Sequence, residues 1–170
     1  MLGFLRRNLK TSNRQTKTLA YNALVRPHVE YCSTIWNPHT RKDIYRVESI
    51  QRRAARYTCN RYDRTDSVTQ MLTELDWDSL ESRRTKLQLT MFYKIVNSIV
   101  DIPTTPYLTA SSSRTRSNHS LKFRHYSPSS DTFKYSFFPR TIPIWNDLPA
   151  RTAEAPTLAH FKVELKKLSI

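Results

Sequence analysis

From Asp78 to Val100 the chain runs Asp-Ser-Leu-Glu-Ser-Arg-Arg-Thr-Lys-Leu-Gln-Leu-Thr-Met-Phe-Tyr-Lys-Ile-Val-Asn-Ser-Ile-Val. Leu80, Leu87, Met91, Ile95 and Ile99 recur on one face, widened by Phe92 and Val96, so the spacing predicts a long amphipathic helix. On its amino-terminal side, Val68, Met71, Leu72 and Leu75 give a shorter helix after a polar connection over residues 60–67. Residues 41–58 read as a further helix, capped by Thr40, with Ile44, Val47, Ile50, Ala54 and Tyr57 as its apolar face. Another pattern runs through Leu19, Ala23 and Leu24 toward Ile35. Thr11-Ser12-Asn13 supplies its cap chemistry, and Pro27 must kink or divide it. Leu2, Leu5 and Leu9 mark a helix over residues 2–10, expected to begin upstream because so short a helix is marginal alone.

On the carboxy-terminal side, Ile102-Pro103-Thr104-Thr105-Pro106 ends the helical pattern, and Ser111-Ser112-Ser113 reads as linker. Leu121 to Tyr126 alternates apolar and basic residues like a half-buried strand, pairing with Thr132 to Phe137 across a turn at Ser127 to Asp131. Phe137 to Leu148, rich in proline, predicts a short helix, and an amphipathic helix from Thr157 uses Leu158, Phe161, Leu165 and Leu168. The expected fold is mainly α. A helical bundle occupies residues 1–104 and a linker residues 105–118; a small α+β or irregular segment, with a hairpin and two short helices, fills residues 119–170.

The 170 residues carry 28 Lys and Arg against 14 Asp and Glu, a formal charge of +14, with 38% hydrophobic content. That is enough apolar material for a core without crosslinks, and a charge that asks for a polyanion. RNA, an RNA/DNA hybrid or DNA is the leading partner. A membrane surface is disfavoured, because the basic residues spread over several helices and no apolar stretch is long enough to span. Cys32 and Cys59 form no Cys-x-x-Cys pair, which fits a reducing nucleus or cytoplasm. The apolar run at Met1 to Leu5 is too short for a signal peptide, so secretion is not expected. His28 and Cys32 lie one turn apart but lack two further ligands, and are read as a surface His and a packed Cys.

Arg52, Arg53 and Arg56, extended along the same helix by Arg41, Lys42 and Arg46, are the first candidate nucleic-acid contacts, since guanidinium forks match phosphate oxygens. The alternative is a solvated helix face. A second group, Arg114, Arg116, Lys122 and Arg124, is interleaved with Phe123, His125 and Tyr126, which either stack on bases of a single strand or belong to the core. Arg6, Arg7, Lys10, Arg14 and Lys17 form a third, acid-free group, which either continues a phosphate-facing side or is in part buried against carboxylates of a segment upstream. Asp66, Glu74, Asp76, Asp78 and Glu81 concentrate acid in one region, either turned from phosphate or pairing the basic helices. Trp36, Trp77 and Trp145 are read as core anchors. No nucleophile motif, metal site or paired catalytic acids emerge, and with Gly3 the single glycine a Gly-rich phosphate loop is excluded.

Trp36-Asn37-Pro38, the block Val47 to Tyr57 containing Gln51-Arg52-Arg53, then Ser136-Phe137-Phe138-Pro139-Arg140-Thr141 and Trp145-Asn146-Asp147-Leu148-Pro149, occur in an order and spacing that resembles the carboxy-terminal region of non-LTR (LINE- and jockey-like) retrotransposon reverse transcriptases. The resemblance covers nearly the whole chain. It implies that residues 1 to about 100 correspond to the thumb of an RNA-directed DNA polymerase and residues 114–168 to the family's tail. It also implies a partner palm that holds catalytic Mg ions. The aromatic-x-Asp-Asp turn of that palm, the endonuclease and the Cys-x-x-Cys-His-Cys knuckle are not among these 170 residues, so no catalytic residue and no cofactor is carried over. A host-adopted or relic fragment, serving as a protein-interaction module or without selected function, is the alternative.

Overall fold

The computed structural model describes residues 1–111 and 119–168. The protein is mainly helical, with no strand among the described residues. Its contacts divide it into two compact units, Met1–Arg84 and Thr85–Ile170. The division falls inside the long helix that the 78–100 pattern predicts, earlier than the linker expected at residues 105–118.

The first unit contains α1 (Leu2–Asn8), α2 (Arg14–Leu24), α3 (Arg26–Glu30), α4 (Ser33–Trp36), α5 (Arg41–Cys59), α6 (Val68–Glu74) and the start of α7 (Leu80–Val96). Four of these starts have a chemical cause in the sequence. The Asn13, Thr40 and Ser67 side chains accept the backbone N–H groups of Thr16, Asp43 and Gln70, satisfying donors that a first helical turn leaves free. Pro27 divides the second pattern, as expected: α2 stops at Leu24, and Pro27 sits in the first turn of α3, where its missing N–H costs nothing.

α5 is the centre of this unit. On one flank Ala54 and Tyr57 join Leu5, Tyr21 and Val25 in a buried cluster; on the other Ala55 joins Val68 and Met71. Two adjacent alanines let neighbouring helices approach both flanks, and Trp77, stacked on Tyr21 at 4.3 Å between centroids, closes both clusters. Leu19 and Leu24, expected to face inward, are exposed, because Lys17 and Tyr21 carry the inner face of α2, continued by Val25 just after it. Trp36 departs from the expected core role: it is 41% exposed, its Nε1 donating to the Tyr31 carbonyl. Cys32 is likewise exposed and not packed.

The second unit comprises the rest of α7, α8 (Asp131–Lys134), α9 (Phe137–Asn146), α10 (Ala150–Ala153), α11 (Leu158–Lys166) and extended segments. Its buried cluster is larger and aromatic: Phe92, Tyr93, Trp145 and Phe161 are joined by Leu89, Ile142, Leu148 and Leu165. Phe92 and Trp145 lie 5.0 Å apart by ring centroid, and Tyr93 stacks on Phe161 at 4.4 Å. The inward face of α7 keeps Leu80, Phe92 and Ile95 of the expected stripe and adds Leu89 and Tyr93, whereas Leu87 is 39% exposed. Ile99 lies beyond the helix, which stops where Ser98 takes φ 53°.

The hairpin expected from residues 121–126 and 132–137 does not form. Asp131–Lys134 is helical, capped by Ser130, and α9 begins at Phe137. The backbone of the 121–124 segment is satisfied elsewhere: Trp145 Nε1 donates to the Leu121 carbonyl at 2.7 Å, and the Asn146 side chain binds both the N–H and the C=O of Phe123 at 3.0 and 2.7 Å. One antiparallel bridge, Ala110 to Phe123, completes the pairing. An amide side chain has taken the place of a partner strand, since a carboxamide offers the same donor and acceptor as a peptide.

Three helices end alike. After α5, α6 and α7 the residues Asn60, Asp76 and Ser98 adopt φ of 55°, 54° and 53°. In each case the following N–H reaches back to close the last turn: Arg61 to Arg56, Trp77 to Leu72, Ile99 to Lys94. This closure ordinarily employs glycine, and here it is made without one.

Candidate nucleic-acid interface

With both flanks of α5 buried, one arc of its 19 residues remains toward solvent. At about 100° per residue, Arg41, Arg52, Arg56, Lys42, Arg53 and Arg46 fall within an arc of about 140° opposite the buried side. Arg41, Lys42, Arg46 and Arg53 are exposed, and Arg52 and Arg56 half-buried. The span from Arg41 to Arg52 is about 16 Å at the helical rise, roughly the axial length of five nucleotides in a duplex.

The six cations differ in what they already hold. Arg41, Lys42 and Arg52 make no ion pair among the described residues. Arg53 reaches only Ser49 Oγ, at 3.4 Å. Arg46 pairs with Asp43 at 3.4 Å, an exposed contact of small energetic weight. The Thr40 hydroxyl, which donates to the Asp43 carboxylate, holds that carboxyl below its usual range, with Arg46 adding to the effect. Arg56 is committed to structure: it donates to the carbonyls of Asp63 and Asp66 and anchors the connection before α6.

In the middle of this arc stands Tyr45, 68% exposed, one turn after Arg41 and in line with Arg52. Sequence reading passed over it by attending to the apolar face; plotting the polar face of the same helix would have found it. A ring among guanidinium groups gives a base a stacking surface beside phosphate donors.

The helix α5 is held from behind by Gln51. It is buried, its Oε1 accepts the Tyr21 hydroxyl at 3.0 Å, and its Nε2 donates to the Asp78 carbonyl at 2.8 Å. Burial pushes the Tyr21 phenol well above its ordinary range, so it stays a donor. Glu48 adds a second tie by accepting the Glu81 N–H at 2.6 Å. In the motif Gln51-Arg52-Arg53 the amide thus fixes the helix and the cations face outward.

The second basic group is not assembled in the same way. Arg114 and Arg116 lie outside the described residues. Lys122 and Arg124 flank Phe123, which packs edge-on against Phe92 at 5.7 Å. Tyr126 donates its hydroxyl to the Tyr107 carbonyl and packs on Phe133. These two rings belong to the core and its margin, the second of the two readings open for them. Of the acid-free amino-terminal group, Arg14 binds the Glu74 carbonyl at 2.7 Å and its carboxylate at 3.8 Å, and Glu74 also holds Arg61 at 2.9 Å. One member of the acidic cluster therefore ties basic helices together.

Among the described residues no group of three or more His, Cys, Asp or Glu is placed to hold a metal ion, and no helix is long and apolar enough to cross a membrane. No family model, curated protein or solved structure matches the chain.

Proposed function

We propose that this chain is a nucleic-acid-binding module, the thumb and tail of a non-LTR retrotransposon RNA-directed DNA polymerase, gripping template RNA or an RNA/DNA hybrid without the catalytic palm. The observation that carries the reading is the solvent face of α5, where Arg41, Lys42, Arg46, Arg52 and Arg53 surround an exposed Tyr45. Guanidinium groups spaced along a rigid helix bind successive phosphates without reading sequence, so affinity should fall steeply with salt. The motif order supports the family assignment, and the nucleus or cytoplasm is where such a partner is met.

Fluorescence anisotropy with single-stranded RNA, an RNA/DNA hybrid and a DNA duplex, each across a salt series, tests the proposal. Reversing Arg41, Arg52 and Arg53 to Glu should weaken RNA binding by about 30-fold, or about 2 kcal/mol. A change within about threefold, roughly 0.7 kcal/mol, would remove α5 as the binding face. Recovery of one acidic protein after nuclease treatment, with weak binding to all three nucleic acids, would instead support a protein-interaction module.

A further inference from the structure

A cleft of about 330 Å³ opens in the first unit between α1, α2 and the end of α5, lined by Arg6, Lys10, Lys17, Tyr57, Asn60 and Tyr62. Its lining includes three cations and no carboxylate. The stem of Lys17 is buried, with the residue 5% exposed, while its ammonium opens to the cleft; it lies over the Tyr57 ring, 4.9 Å from the centroid, and meets no hydrogen-bond or ion-pair partner among the described residues. A ring face attracts one side of an ammonium and leaves donors unused. The Tyr57 hydroxyl is occupied by the Leu5 and Leu9 carbonyls at 3.1 and 3.2 Å, which holds the ring in place and covers carbonyls that would repel an anion. Arg6 and Lys10 stand exposed above, without ion pairs among the described residues. Tyr62, 54% exposed, forms part of the rim.

We infer that this cleft is a phosphomonoester site, taking the terminal phosphate of a nucleotide, with the base against Tyr62. An ammonium that opens into the cleft with donors unused by the protein can be completed by an anion, and two further cations at the mouth match a dianion better than the single charge of a phosphodiester. A tetrahedral phosphate presents enough oxygens to accept from Lys17, Lys10 and Arg6 together. The volume is at the lower end for small-molecule sites, suited to one nucleotide. The source is either the end of a strand or a free mononucleotide, and the chemistry at the cleft is shared.

The test uses the full chain at one salt concentration and four probes: an oligoribonucleotide with a 5′-phosphate, the same strand with a 5′-hydroxyl, a nucleoside 5′-monophosphate and inorganic phosphate. The phosphorylated strand should bind at least about tenfold tighter than the hydroxyl strand, a difference of about 1.4 kcal/mol. Lys17→Met keeps the stem and removes the ammonium; Arg6→Ala with Lys10→Ala alters only exposed side chains, so it decides the matter if the first variant fails to fold. Either should bring the two strands within about twofold of each other, about 0.4 kcal/mol. A preference confined to the strand assigns a strand end; saturable binding of the monophosphate assigns a free nucleotide. Equal affinity for both strands, with no binding of monophosphate or inorganic phosphate, overturns the proposal. Reversal of Arg41, Arg52 and Arg53 should weaken both strands equally and leave their ratio unchanged, so failure of the α5 face and failure of the cleft read out separately.

Discussion

Residues 1–84 hold 16 Lys and Arg against 9 Asp and Glu, and residues 85–170 hold 12 against 5, so each unit carries a net +7. In the first unit six of the sixteen cations lie along one helix whose other sides are buried in two small clusters, while Glu74 pairs with Arg14 and Arg61 and Glu30 with Arg26 and Arg83. The second has no such helix among its described residues, and it too consumes part of its charge internally. Glu164 binds Lys167 at 2.7 Å and Arg151 at 3.2 Å, and the Lys167 hydrogen bond with Arg151 beside it holds that carboxyl below its usual range. Equal charge therefore does not mean equal capacity to bind a polyanion. What matters is whether a rigid element spaces the cations and leaves them unpaired, and that requires a helix supported on both flanks. The second unit spends its sequence on one aromatic core instead.

This contrast can be broken most sharply at Trp145, which is fully buried and ties Leu121 to the core through its indole. Trp145→Ala should cost about 3–5 kcal/mol by chemical denaturation, with amide exchange rising in residues 119–126 and 137–165. A loss under about 1 kcal/mol would mean that the aromatic cluster does not organise this unit. Next come the two amides. Gln51→Leu strands the Tyr21 hydroxyl and the Asp78 carbonyl, and Asn146→Leu strands both backbone groups of Phe123. Each should cost about 2 kcal/mol. Gln51→Leu should also weaken RNA binding, because it loosens α5, whereas Asn146→Leu should leave RNA affinity at the α5 face unchanged; equal effects on binding would erase the distinction between the units. The smallest effect is expected at the helix ends. Ser98→Gly should stabilise by about 0.5–1 kcal/mol, by relieving a left-handed residue, while Asn60→Gly should change little because asparagine tolerates that region. Thermal unfolding of both variants checks the order.

The helices were legible because their signals are local. Thr40 and Asn13 announce their caps, Pro27 its break, and the apolar period of α5 places its ends within a residue. The candidate cations on α5 followed from the same pattern. The hairpin failed because alternation around Phe123 shows only that one face is buried. It does not say what satisfies the backbone, and the answer, Asn146, lies 23 residues away. Trp36 and Cys32 misled because their type suggests burial while neither supplies the buried face of a helix. Tyr45 was readable from the polar face of α5, whereas the Lys17 cleft depends on how helices flank one another, which spacing along a single helix does not encode.

Gln51 and Asn146 share a property that bears on how this protein can be handled: neither side chain ionises. Concentrated salt shortens the reach of charge to about 3 Å at 1 M and strips a polyanion from an arginine face, but it has little hold on a buried amide bonded to a carbonyl or a phenol. Ionic strength is thus a selective tool here, able to weaken phosphate contacts at the cationic surfaces while the amide ties of the scaffold stand.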